Sequence, residues 1–147
     1  MELSMSISVL REQLTRLSKR LRQEAQNHPE GWSQMLVLSA IDRMAGAATP
    51  TQIAEAERMQ SSNLASLLRE LDARKLIERT PDIHDKRRVR ISLSEGGKAL
   101  LQESRDQRDR WLSNAVQSCL TEEERHQLEA AGVLMEKLSN YSQTFDK

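Results

Sequence analysis

Between Thr49 and Leu93 the chain reads TPTQIAEAERMQSSNLASLLRELDARKLIERTPDIHDKRRVRISL. Helix-start signals coincide at its head. Thr49 can accept from first-turn amides, Pro50 suits the first helical position, and the Gln52 side chain can reach back to complete a capping box. The helix that starts here is short, because it gives way at Gln60-Ser61-Ser62, where a second hydroxyl cap is expected to open another helix through SSNLASLLRELDARKL. In that second helix Leu64, Leu67, Leu68 and Leu71 follow an i, i+3, i+4, i+7 pattern and must face a core. The opposite face carries Ser61, Ser62, Asn63, Ser66, Arg69 and Glu70 in place of the Lys/Glu mixture of an ordinary solvated face. Small side chains let a helix approach the floor of a major groove, and Asn and Arg have the geometry to contact adenine or guanine edges. Ser61, Ser62, Asn63, Ser66 and Arg69 are therefore candidate DNA-reading residues.

Period-two alternation follows in Leu76-Ile77-Glu78-Arg79-Thr80 and again in Arg88-Val89-Arg90-Ile91-Ser92-Leu93, on either side of a polar turn from Pro81 to Arg87. This pattern predicts a β-hairpin with a basic tip. A helix pair followed by such a hairpin is a winged helix: the second helix enters the major groove, and the wing sets cations against phosphates or in the adjacent minor groove. Lys86, Arg87 and Arg88 are the candidate wing contacts, whereas Arg79 and Arg90 flank the wing and steady it. From Arg58 to Arg90 nine basic residues face five acidic ones, although the whole chain is formally neutral. The positive field is thus concentrated in the middle of the chain.

Outward from this module the chain is helical. Ile7, Leu10, Leu14, Leu17 and Leu21 form one apolar seam over residues about 4 to 26. A turn around Pro29 and Gly31 follows, and then a helix from about Ser33 to Met44. Ser94 is expected to cap a long fifth helix with Leu101, Ser104, Trp111, Ala115 and Cys119 along a stripe that Arg108 interrupts. Thr121 and Glu124 supply a capping box for a sixth, with Leu128, Ala131, Met135 and Leu138 on its seam. The expected architecture is mainly α with a small hairpin wing. It comprises an N-terminal dimerisation helix and turn (1–32), a winged helix-turn-helix module (33–94) and C-terminal dimerisation helices (95–147) in one compact chain. The terminal seams are too long for the middle module to cover, so they are expected to bury each other across a two-fold axis.

Composition narrows the function classes. Charged residues make up 30% against 5 Gly and 3 Pro, which favours long solvated helices over a β-sandwich. With Trp32, Trp111, Tyr141 and Phe145 as the only aromatic residues, a base-stacking surface for single strands is disfavoured and duplex DNA remains. The single Cys119, the lack of a long apolar run and a start without a signal-peptide pattern are expected of a soluble, cytoplasmic chain. Acids follow Cys119 closely, which disfavours a reactive thiolate. His28, His84 and His126 have no ligand spacing, so neither a metal nor another cofactor is expected. Phosphate-loop, nucleophile and paired-carboxylate motifs are also lacking, which argues against an enzyme.

The chain resembles the MarR family of bacterial transcription regulators. The resemblance runs through Thr51-Gln52-Ile53-Ala54, the segment Leu71 to Arg79, Asp82-Ile83-His84-Asp85-Lys86-Arg87 and Ile91 to Gly97. It implies that the helix from Ser61 is the recognition helix, that Arg87 is the wing-tip arginine, and that Asp85 orients the wing by pairing with nearby arginines. Lys75, Ile83 and Lys86 depart from the family's usual Gly, Pro and Arg. The resemblance implies a homodimeric repressor on a palindromic duplex operator, released by a small phenolic or anionic effector. Such a ligand would sit in a crevice lined by His28, Trp32, Met35, Arg108 and Trp111. The competing reading from another class is a helical protein-interaction dimer whose DNA-binding module has degenerated.

Overall fold

The computed structural model describes residues 4–25 and 31–142; His28 lies outside them. Among these residues there are six helices and one antiparallel hairpin: α1 (Ile7–Ala25), α2 (Gly31–Arg43), α3 (Pro50–Glu57), α4 (Ser61–Ala73), β1 (Ile77–Pro81), β2 (Val89–Leu93), α5 (Glu95–Cys119) and α6 (Glu122–Ser139). The mainly helical winged-helix architecture expected from the sequence is present. The chain divides into two compact units, Met1–Asp109 and Arg110–Lys147, with the division inside α5. The N-terminal helix therefore groups with the winged module. No described helix is long and apolar enough to cross a membrane.

Local chemistry sets each boundary. Ser6 Oγ accepts from the Val9 amide at 3.4 Å, so α1 begins at Ile7, three residues later than expected. Gly31, at φ +72°, lets α2 begin before Trp32, two residues earlier than the Ser33 start. At α3 the capping box forms as read: Gln52 N donates to Thr49 Oγ1 at 3.3 Å, and Thr49 N donates to Gln52 Oε1 at 3.2 Å. The hydroxyl cap expected for α4 does not form. Its N-cap is Gln60, with no side-chain hydrogen bond, and Ser61 and Ser62 fall on the exposed first turn. The cause lies upstream, where Met59 N donates to Ala54 O at 2.9 Å and Arg58 adopts φ +52°, closing α3 so tightly that the next helix starts already at Ser61, one residue earlier than a Ser61 cap would allow.

The end of α4 repeats that closure. Leu76 N donates to Leu71 O and Lys75 N to Asp72 O, both at 3.0 Å, with Lys75 at φ +58°. This is a Schellman ending, with the buried pair Leu71 and Leu76 supplying its apolar contact. It also stops α4 at Ala73, short of the Leu76 limit read from the pattern. A side chain in the left-handed region costs on the order of 1 kcal/mol that glycine avoids. Lys75→Gly is accordingly expected to raise stability by about 0.5–1 kcal/mol, readable as a higher urea midpoint at unchanged slope.

The core lies under α4 and the hairpin. Leu64, Leu68 and Leu71 of α4 pack with Met35, Leu38 and Ile41 of α2, Ile53 of α3, Ile77 and Ile91 of the strands, and Leu101 of α5. Each buried leucine contributes about 1.5–3 kcal/mol relative to exposure. The hairpin pairs Ile77 with Leu93 and Pro81 with Val89, and Ile91 N donates to Ala48 O at 2.7 Å, which ties the loop after α2 to the sheet. Ser94 Oγ accepts from Gly97 N at 3.1 Å and donates to Lys75 O at 2.7 Å, capping α5 while fastening it to the end of α4. Along α5, Leu101 and Ser104 are buried, Trp111 and Ala115 half-buried and Cys119 exposed.

The second unit holds the rest of α5 and α6. The Thr121–Glu124 capping box forms in both directions, at 2.9 and 3.2 Å, and the Thr121 amide, then its hydroxyl, hold the Glu124 carboxyl below its ordinary range. No residue of α6 is buried, and Val133, Leu134 and Leu138 are each more than half exposed.

Candidate nucleic-acid interface

Helix α4 presents two faces with different chemistry. Leu64, Leu68 and Leu71 anchor it, and Ser61, Ser62, Asn63, Ser66 and Arg69 all stand exposed on the other side. The N-cap Gln60 makes no side-chain hydrogen bond to the helix's first-turn amides. A cleft of about 330 Å³ runs beside this face between Pro50 and Thr51 of α3, Ser61 and Arg69 of α4, and Arg79 of β1. A second, of about 420 Å³, lies between Thr49 to Gln52 and the wing residues Arg87, Arg88 and Val89, again with Arg79 in its wall. Arg79 thus stands between the exposed face of α4 and the wing. The start of α3, which the sequence reading treated only as a helix cap, lines both clefts.

The wing is held by its aspartates. Asp82 Oδ1 accepts from His84 N at 3.1 Å and pairs with Arg90 at 3.1 Å; the amide and then the guanidinium hold its carboxyl below the ordinary range. Asp85 Oδ1 accepts from Arg87 N at 3.0 Å, with Arg87 Nε at 3.4 Å and Arg88 Nε at 3.8 Å from the carboxylate. The Arg87 and Arg88 side chains remain 93% and 69% exposed, so these loose pairs leave both cations open to solvent. Lys86 is exposed beside them. Arg79 reaches back to Asp72 on α4 at 2.6 Å, linking the strand that enters the wing to that helix.

Asp72 and Asp82 as the partners of Arg79 and Arg90 were not identified from the sequence. Asp72 precedes Arg79 by seven residues and meets it only because the Schellman ending reverses the chain. A further link joins α2 to α4: Gln34 Nε2 donates to Glu70 Oε2 at 2.7 Å, and Gln34 Oε1 accepts from Arg74 at 3.4 Å. Nothing in the local pattern around Gln34 signals this surface contact between distant parts of the chain.

Of the residues expected to line an effector crevice, Trp32 and Arg108 come together, with the guanidinium 5.3 Å from the ring centroid. Burial, and then nearby Arg105, push the Arg108 guanidinium below its ordinary range. Its Nε donates to Ser104 O at 3.3 Å, and Ser104 Oγ is buried without a hydrogen-bond partner among the described residues. Met35 is 2% exposed and belongs to the core. Trp111 is half-buried in the second unit. Among the described residues no group of three His, Cys, Asp or Glu is placed to hold a metal ion.

Residues 31–88, spanning α2 to the wing tip, match the MarR family. An HTH-type transcriptional regulator of Mycobacterium bovis is 32% identical over 120 residues, which is 82% of each chain. A crystal structure of a transcriptional regulator protein from Pseudomonas aeruginosa superposes with a TM-score of 0.82 at 46% identity, covering 92% of this chain and 94% of that one. A variant of the Staphylococcus aureus protein MepR, solved bound to an oligodeoxyribonucleotide, aligns with a TM-score of 0.63 at 26% identity over 92% of this chain and 98% of its own. With the helix pair and wing described above, these matches show that the chain belongs to the MarR family, whose members are winged-helix transcriptional regulators and not enzymes.

Proposed function

We propose that this chain acts in the cytoplasm as a homodimeric repressor on a palindromic duplex operator and is released by a small phenolic or anionic ligand. The observation that carries this reading is the exposed face of α4, made of small and hydrogen-bonding groups beside a wing with three exposed cations. Ser61, Ser62, Asn63, Ser66 and Arg69 would enter the major groove, while Lys86, Arg87 and Arg88 would neutralise phosphates. Asp85, Arg79 and Arg90 would hold the wing at its angle. The DNA-bound MepR structure has the same fold, which supports the docking mode.

Dimerisation is supported by the apolar surface that α6 exposes, a liability in a monomer and an interface in a pair. Two copies related by a two-fold axis would set their recognition helices about one helical turn apart. For the effector, Trp32 and Arg108 offer an aromatic face and a partly desolvated cation, a combination suited to a phenol or carboxylate.

The discriminating experiment compares Asn63→Ala and Arg69→Ala with the unaltered dimer on its selected operator and on random duplex. If these side chains read bases, each variant relaxes preference at one position per half-site by about 1–3 kcal/mol and binds random DNA almost unchanged. Equal losses on both duplexes would mean that α4 does not read sequence.

A further inference from the structure

We infer that Ile83 is an apolar wedge at the tip of the wing, which enters the minor groove beside the cations and makes binding favour flanking base steps that unstack easily. The inference rests on the DNA-binding reading above. Single exposed apolar residues are common and by themselves mean little. Ile83 differs in where it stands and how it is held.

The residue is 82% exposed, more than any other large apolar residue among those described. The backbone on either side is fixed. Asp82 N donates to Arg88 O at 3.0 Å, Asp82 Oδ1 accepts from His84 N at 3.1 Å, and Arg88 N donates to Asp85 O at 2.9 Å. Ile83 thus sits within an aspartate-anchored turn that turns it away from the core. Its β-branched side chain has few rotamers to lose on insertion. Lys86, Arg87 and Arg88 share the same tip, so the field around Ile83 suits the negative potential of a minor groove. A flexible or charged residue there could follow the groove, but a stiff apolar one displaces water from sugar and base edges and can pry a step apart. Proteins that wedge minor grooves use apolar side chains of this kind, and pyrimidine–purine steps yield most readily.

The test uses duplexes with both selected half-sites fixed and only the step under each wing varied, as TA or as AA, with 2-aminopurine at that step. The full-length dimer is expected to bind the TA duplex about fivefold or more tightly than the AA duplex and to raise 2-aminopurine fluorescence. Ile83→Ala should abolish both the preference and the fluorescence rise while leaving half-site selection and salt dependence intact, because no charge changes. Ile83→Leu should retain most of both. Persistence of the preference in Ile83→Ala, or binding by the unaltered protein without a fluorescence rise, would overturn the wedge. Failure of the unaltered dimer to distinguish operator from random duplex would instead remove the DNA-binding reading, and the wedge with it.

Discussion

Gly97→Ala is expected to destabilise the protein by about 3 kcal/mol, lowering the thermal midpoint by roughly 10 °C in a scan of the purified chain. Gly97 occupies the first turn of α5 and is buried against the backbone of Leu76, the residue that leads into β1. A Cβ there would fall deep inside van der Waals contact with the Leu76 carbonyl oxygen, and that oxygen also accepts from Ser94 N at 3.0 Å. Neither partner can move alone. Shifting Leu76 disturbs the Schellman ending of α4, and shifting α5 breaks the Ser94 cap. Gly96 provides the control, because its added Cβ would meet Ser94, Lys75 and Leu76 at 3.7 to 3.9 Å, ordinary contact. Gly96→Ala is expected to be neutral or stabilising by up to about 1 kcal/mol through helix propensity. Equal behaviour of the two variants would show that α5 is not seated on the strand as described.

Replacing Lys86, Arg87 and Arg88 together by alanine is expected to weaken operator binding at least about a hundredfold at 0.15 M salt and to flatten the dependence of log K on log salt by up to about five. The arithmetic follows from six cations in a dimer, each releasing close to one counterion from the duplex. Folding should be unaffected, since the Arg87 and Arg88 side chains are mostly exposed and lose only long pairs with Asp85. The backbone bonds from Arg87 and Arg88 to Asp85 persist in the variant and keep the turn in shape. Titrations at several salt concentrations check the slope. An unchanged slope would mean that the wing does not reach phosphate.

Features governed by neighbours in the chain were legible in the sequence. The capping boxes at Thr49 and Thr121, the Ser94 cap, the apolar row of α4 and the hairpin each depend on a few consecutive residues, and each appears in the structure. The cap of α4 misled because two serines near a helix start satisfy the same pattern whether they precede the first turn or form it. Only the closure of α3 at Arg58 decides between these, and a left-handed arginine carries no local signal. The Asp72–Arg79 pair and the Gln34 bridge to Glu70 and Arg74 depend on tertiary placement, so neither leaves a spacing to read. The exposed seam of α6 was legible as apolar periodicity, although the periodicity says nothing of what covers it.

The most direct test of the central claim is selection from a randomised duplex library by the purified protein at two salt concentrations, read by fluorescence anisotropy and with the mass in solution measured by light scattering. The account predicts a dimer that enriches a palindrome with half-sites about one helical turn apart and that weakens steeply as salt rises. A dimer that enriches no sequence, with binding indifferent to salt, would contradict it.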